Sequence, residues 1–273
     1  MRRKTARQSV RGGHGLRTAF TLVELLVVIS ILVMLMSLML PTLARVRKQV
    51  NAVACQAKLR QWGQIFKIYT DGNEGRWFYG NAGNPWFTET FSLWHENPSM
   101  ALCPMATRRP QPWPGFWDAF SASKGDMVLG MDPSGVLISG PYSYGFNMAC
   151  FRVARPVPAT ATGWTKCWET CDVLGAANVP VLFDCVWPET SEDPHWGPPP
   201  NPWFDGTGSP ACINRHNGGI NVLFIDWSVR KVGLKELWTL KWHREYDTAG
   251  PWTRRGGVQP EDWPEWMRGF KDY

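Results

Sequence analysis

The sequence predicts an α+β fold: a long N-terminal helix packed on a C-terminal antiparallel β-sheet head, loop-rich throughout. Three observations carry this expectation. Residues 21–70 read as one helical tract. Short apolar runs bounded by turn residues follow, between residues 127 and 232. The 273 residues also include 22 Pro, 26 Gly and 17 Trp. That composition describes irregular chain under bulky cover, not a helical bundle. The length allows one substantial globular body plus an appendage.

The helical tract has two halves. From Leu22 to Leu40 every residue is apolar except Glu24, Ser30 and Ser37. At the helical rise this run covers roughly 28 Å, enough for a bilayer core. After Pro41 the pattern turns amphipathic. Val46, Val50, Val53 and Ala57 follow one stripe, and Leu59, Trp62, Phe66 and Tyr69 another. Asp71-Gly72 supplies the stop. The expected division is a basic leader over 1–19, a helix over 20–71 with membrane part 20–41 and amphipathic part 42–70, a β-rich head over 72–250, and a Trp/Pro/charge-rich tail over 251–273. Pro41 removes one backbone hydrogen bond.

The head offers five strand candidates: residues 127–130, 135–140, 142–148, 179–185 and 220–232. The last is the clearest, with apolar residues alternating on either side of Asp226-Trp227, and reads as two strands around a tight turn. Trp227 is an awkward residue there, because the favoured two-residue turns need positive φ.

Charge narrows the partners. The net charge is +6. Arg2, Arg3, Lys4, Arg7, Arg11 and Arg17 supply all of it, and the remaining 23 basic residues balance 23 acidic ones. No basic stripe is left to neutralise phosphates, so no nucleic-acid partner is expected. A basic flank before an apolar run stays in the cytoplasm.

The motifs around the apolar run, Ala19, Phe20-Thr21-Leu22-Val23-Glu24 and Pro41 after a basic leader, resemble the N-terminus of type IV prepilins and type II secretion pseudopilins. The resemblance implies cleavage between Ala19 and Phe20 by a prepilin peptidase and N-methylation of Phe20. It implies that Glu24 meets the free amine of a neighbouring Phe20 in an assembled filament, a pairing that makes a buried carboxylate tolerable. Ala19 stands where the family usually has glycine. The implied partners are homologous pilin or pseudopilin subunits, the peptidase, a membrane assembly platform and the membrane itself. The implied location is a single-pass inner-membrane protein with the N-terminus in the cytoplasm and the head outside.

Further on, His216 and Asp226 in "RHNGGINVLFIDWSVRKV" resemble the His-x9-Asp-Gly segment of prepilin-like proteins common in planctomycetes and their relatives, with Trp227 in place of glycine. The "CQAKLRQWGQIFKIY", "LCP" and "YSYGFN" stretches are also similar to that group. The implied function is a subunit of a type II secretion pseudopilus or a type IV pilus-like filament.

Rival readings stay open at this level. Seven Cys follow the apolar run; an exported head favours disulfides, Cys55 with Cys103 among them. His216 and Asp226 are two members of a hydrolytic triad without a visible nucleophile, or a structural tie between strand entry and turn. Cys167, Cys171, Cys212 and His216 have the ligand types of a zinc site. Glu189, Glu192, Asp193 and Asp205 are hard donors for calcium without a calcium-loop pattern. The Trp-rich loops 84–94, 110–117 and 195–206 either cover the sheet or present a glycan- or partner-binding surface on a membrane-tethered protein. The expectation is a non-enzyme with no resident cofactor.

Overall fold

The computed structural model describes residues 21–79, 85–108, 117–118, 128–131, 137–139, 141–152 and 166–273. The leader, Ala19 and Phe20 lie outside them. The chain divides into two units between Val46 and Arg47.

Helix α1 runs unbroken over Leu22–Asp71, through Pro41. In the first unit its apolar side chains, from Leu22 to Leu43, are all exposed. The segment is long and apolar enough to cross a membrane. In the second unit the two stripes separate. Val50 and Val53 remain exposed, whereas Leu59, Trp62 and Phe66 are completely buried. Fully burying an indole such as Trp62 removes roughly 200 Å² from water, an upper bound of about 5 kcal/mol.

Two short helices follow, α2 (Pro85–Glu89) and α3 (Phe91–Trp94). The strands are β1 (Trp117–Asp118), β2 (Val128–Met131), β3 (Leu137–Ser139), β4 (Tyr144–Asn147), β5 (Pro180–Asp184), β6 (Glu189–Thr190), β7 (Trp203–Phe204), β8 (Gly219–Phe224) and β9 (Val229–Gly233). Each strand candidate of the sequence overlaps one of these strands or, at 220–232, a hairpin. The main sheet has order β6-β4-β5-β8-β9. The expected antiparallel sheet is in fact mixed: β4, β5, β8 and β9 pair antiparallel, but β6 lies parallel to β4. A two-residue edge strand needs only one close approach, which no periodicity announces.

Both faces of the sheet are covered, so β4, β5 and β8 are buried at every position and lack the polar alternation of a half-exposed sheet. One face carries Tyr144, Phe146, Leu182 and Leu223 against α1 and the aromatics Trp77, Phe78, Trp86 and Phe87. The other carries Phe183, Val222 and Phe224 against Leu234, Trp238, Trp242, Trp263 and Met267. Residues 251–273 thus supply core, although composition sets them apart as a tail.

The β8–β9 turn explains Trp227. Trp227 N–H donates to Phe224 C=O at 2.9 Å, and Phe224 N–H donates to Ser228 C=O at 2.9 Å. The loop is therefore three residues, Ile225–Trp227, and its last residue takes the left-handed conformation such loops require. Trp227 has φ 66°. The conformation that suits glycine is kept without glycine, and the ring rests on Trp77 at 5.9 Å.

Candidate functional site

Two places concentrate polar groups where the surroundings disfavour them. The first is the start of α1. Thr21 precedes the helix, and its N–H and Oγ1 both donate to Glu24 Oε2 at 2.8 Å. Glu24 N–H returns a bond to Thr21 Oγ1 at 3.3 Å. This is a capping box: two orphan donors of the first turn are satisfied reciprocally, and the carboxylate sits at the positive end of the helix. The signal is Thr-x-x-Glu before an apolar run, and it stands in the sequence.

The second place lies on the α1 face of the sheet, in the unit from Arg47 onward. Asp184 ends β5, opposite Tyr144 in register. Its carboxylate is wholly buried and is the hub of a network. Arg215 Nη1 donates to Oδ1 at 3.1 Å, and Asn221 N–H donates to Oδ2 at 2.9 Å. His216 Nε2 is 2.9 Å from Oδ2. Cys55 Sγ, from α1, is 3.7 Å from both oxygens. Cys103 Sγ is 3.4 Å from His216 Nε2. Tyr144 hydroxyl donates to Cys55 Sγ at 3.3 Å, and Met105 N–H to Cys103 Sγ at 3.5 Å. Cys55, Cys103, Asp184 and His216 each place one ligand-type atom within 4.8 Å of the others.

The electrostatics follow from burial and pairing. Burial opposes the Asp184 charge, but the His216 charge and hydrogen bond, then Arg215 and the Asn221 amide, hold the carboxyl below its usual range. Burial likewise opposes charge on His216, and the Asp184 carboxylate overcomes it and pushes the imidazole upward. Burial pushes the Cys103 thiol far above its ordinary value.

Several sequence-level expectations meet this geometry. His216 does not pair with Asp226. The two flank opposite ends of the six-residue β8, roughly 20 Å apart at strand rise. Asp226 is exposed and accepts from Ser228 N–H and Oγ. His216 ties the strand entry to Asp184 instead. A relay of the hydrolase kind is also missing, because Cys103 and Asp184 face the same nitrogen. A triad needs the acid on the other one, and His216 Nδ1 has no hydrogen-bond partner among the described residues. Cys55 and Cys103 are brought together but remain free thiols.

The zinc set named from spacing is not assembled. Cys212 Sγ lies 3.9 Å from Met267 Sδ, Cys167 Sγ lies 3.8 Å from Met148 C=O, and His216 belongs to the other group. Glu189 lies in β6, and the other three calcium donors have local roles. Asp205 accepts from Thr207, Asp193 from His195 N–H, and buried Glu192 from Thr190 and Ser209 hydroxyls. Glu192 also lines a cavity of about 120 Å³ with Asn147, Trp242 and His243. Of the loop tryptophans, Trp86 and Trp94 are buried, and Trp196 and Trp203 are exposed. The 110–117 loop is described only at Trp117, which pairs with Phe204 in the β1–β7 ladder.

Asp184 was within reach of sequence reading. An acid inside "VPVLFDC" is the same kind of oddity as Glu24 inside its apolar run. No known protein family matches the chain, and no curated protein and no solved structure is detectably similar to it.

Proposed function

We propose that the protein is a pilin- or pseudopilin-like subunit. It is inserted by its N-terminal segment with the leader inside and the head outside, processed between Ala19 and Phe20, and polymerised through α1. The observation that carries this reading is the state of that helix. Between Leu22 and Leu40 it exposes an apolar surface interrupted only by Glu24, Ser30 and Ser37, and Val50 and Val53 extend exposed apolar side chains into the second half. A surface of that size on a soluble monomer invites association. A bilayer covers it before assembly, and the same helices of other copies cover it afterwards. Head-to-tail packing that does not close gives an open helical filament.

Glu24 has two roles in this reading. In the single chain it caps α1. In a filament its charge pairs with the processed amine of a neighbouring subunit, and a slipped register would leave that charge unpaired. The two roles separate experimentally. Glu24→Gln keeps a side-chain oxygen that accepts from Thr21, so membrane insertion and helix content stay at parent level, while filament yield falls at least roughly tenfold with loss of the ion pair. Filaments that form normally from Glu24→Gln refute the pairing. An N-terminus found at Met1 in the membrane protein, in place of N-methylated Phe20, refutes the processing.

A further inference from the structure

We infer that Cys55, Cys103, Asp184 and His216 form a structural zinc site, one that fastens helix α1 to the sheet. The site lies wholly in the unit from Arg47 onward and does not rest on the filament reading.

The four donors come from four separate stretches of chain: α1, the segment after the Pro98–Ala101 turn, the end of β5 and the entry to β8. Nothing local brings them together, yet their ligand atoms gather within 4.8 Å. Zinc bonds of about 2.3 Å to sulfur and about 2.0 Å to nitrogen and oxygen give tetrahedral edges of about 3.5 Å for S–N and S–O and about 3.3 Å for N–O. The observed separations are 3.4 Å for Cys103–His216, 3.7 Å for Cys55–Asp184 and 2.9 Å for His216–Asp184. The other three separations lie within 4.8 Å, so a tetrahedron asks His216 and Asp184 to part by about 0.4 Å and the longer edges to close by no more than about 1.3 Å.

The chemistry agrees. Two sulfurs, an imidazole nitrogen and a carboxylate select zinc over calcium or magnesium, which take oxygen ligands. Lone-pair atoms from all four side chains face one another. A proton on His216 Nε2 reaches Asp184 or Cys103, whereas a dication at the centre reaches all four. With both thiols ionised, zinc and Arg215 supply three positive charges against two thiolates and the Asp184 carboxylate, so the buried group is neutral. The surroundings are those of a ligand shell. Tyr144 hydroxyl aims at Cys55 Sγ, Met105 N–H at Cys103 Sγ, and Arg215 and Asn221 N–H hold the two carboxylate oxygens. All four ligands are protein side chains and are buried, which is the closed arrangement of a structural site, not the open one of a catalytic site. Zinc binding releases the two thiol protons.

The test uses the full chain, purified in detergent without chelator from zinc-supplied cells. Elemental analysis is expected to find about one zinc per chain. Replacement by cobalt(II) should give thiolate-to-cobalt charge transfer and tetrahedral d–d bands, and X-ray absorption should count two sulfur and two nitrogen or oxygen neighbours. Cys103→Ser should lower bound zinc at least roughly tenfold, and Cys167→Ser should leave it unchanged. Because Cys103→Ser could unfold the chain, the cobalt spectrum and scatterer count of the parent stand as the independent readout. The inference is overturned by metal-free parent protein that takes up no cobalt, by a Cys55–Cys103 disulfide in the isolated protein, or by a scatterer count with other than two sulfurs.

Discussion

Trp227 shows how one residue carries opposing costs. An L-residue in the left-handed region loses about 1–2 kcal/mol relative to glycine. The contact with Trp77 recovers a similar amount. Trp227→Ala loses the contact and keeps the backbone cost, whereas Trp227→Gly loses the contact and relieves that cost. Denaturant unfolding should therefore find the Gly variant more stable than the Ala variant by about 1 kcal/mol. Equal stabilities would mean that the turn carries no such cost.

Glu192 makes a pH prediction. Burial pushes its carboxyl from 4.5 up to about 7; Ser209 and Thr190 hydroxyls oppose this weakly and Asp193 adds to it. Cys185, Cys212 and Tyr246 also face it electrostatically. The folded chain holds a proton that the unfolded chain releases near pH 4.5. Stability from this group is complete below that pH and is lost as pH rises to about 7. Glu192→Gln keeps the oxygen that accepts both hydroxyls and removes the titration. It should exceed the parent in stability by about 1–3 kcal/mol at about pH 8 and match it at about pH 4. A parent-to-variant difference that does not change with pH would count against a buried neutral Glu192.

At the level of elements, α1 was readable because a helix of this length repeats its signals. The apolar run, the stripe Leu59-Trp62-Phe66 and the Asp71-Gly72 stop each mark it. The capping box at Thr21–Glu24 was equally local. The strands were visible as apolar runs, since a strand buried on both faces is apolar at most positions. Apart from the β8–β9 hairpin, their partners were not visible. The parallel β6 edge and the β1–β7 ladder depend on chain returning from far away. The turn dipeptide Asp226-Trp227 was correctly located, but its loop length was fixed by the pairing of Leu223 with Val229.

The whole molecule decides what residues 251–273 are. Composition marks them as a tail, yet Trp263 and Met267 are buried in the second core cluster. Lys235, itself buried, places its ammonium 2.7 Å from Asp272 and over the Trp263 ring. Deleting 251–273 would leave that ammonium without its carboxylate and uncover Leu234 and Trp238. The emptied tryptophan site alone costs about 3–5 kcal/mol, with a smaller loss from the Lys235–Asp272 pair, whose carboxylate is partly exposed, against a typical domain's stability of roughly 5–15 kcal/mol. The shortened chain is expected to lose its cooperative thermal transition and to aggregate in size-exclusion chromatography. A melt within a few degrees of the parent's would make the segment a true appendage.

Local chemistry therefore settled α1, its two halves, its cap and the positions of the main strands, because helix periodicity, capping and apolar runs are written within a few residues of one another. The folded chain alone decided which sheet neighbours form, that the sheet is mixed, and that His216 meets Asp184 and Cys103 but not Asp226. Cys55 and Asp184 are 129 residues apart in the chain. Their contact is set by the packing of α1 on the sheet, and no local rule spans that distance.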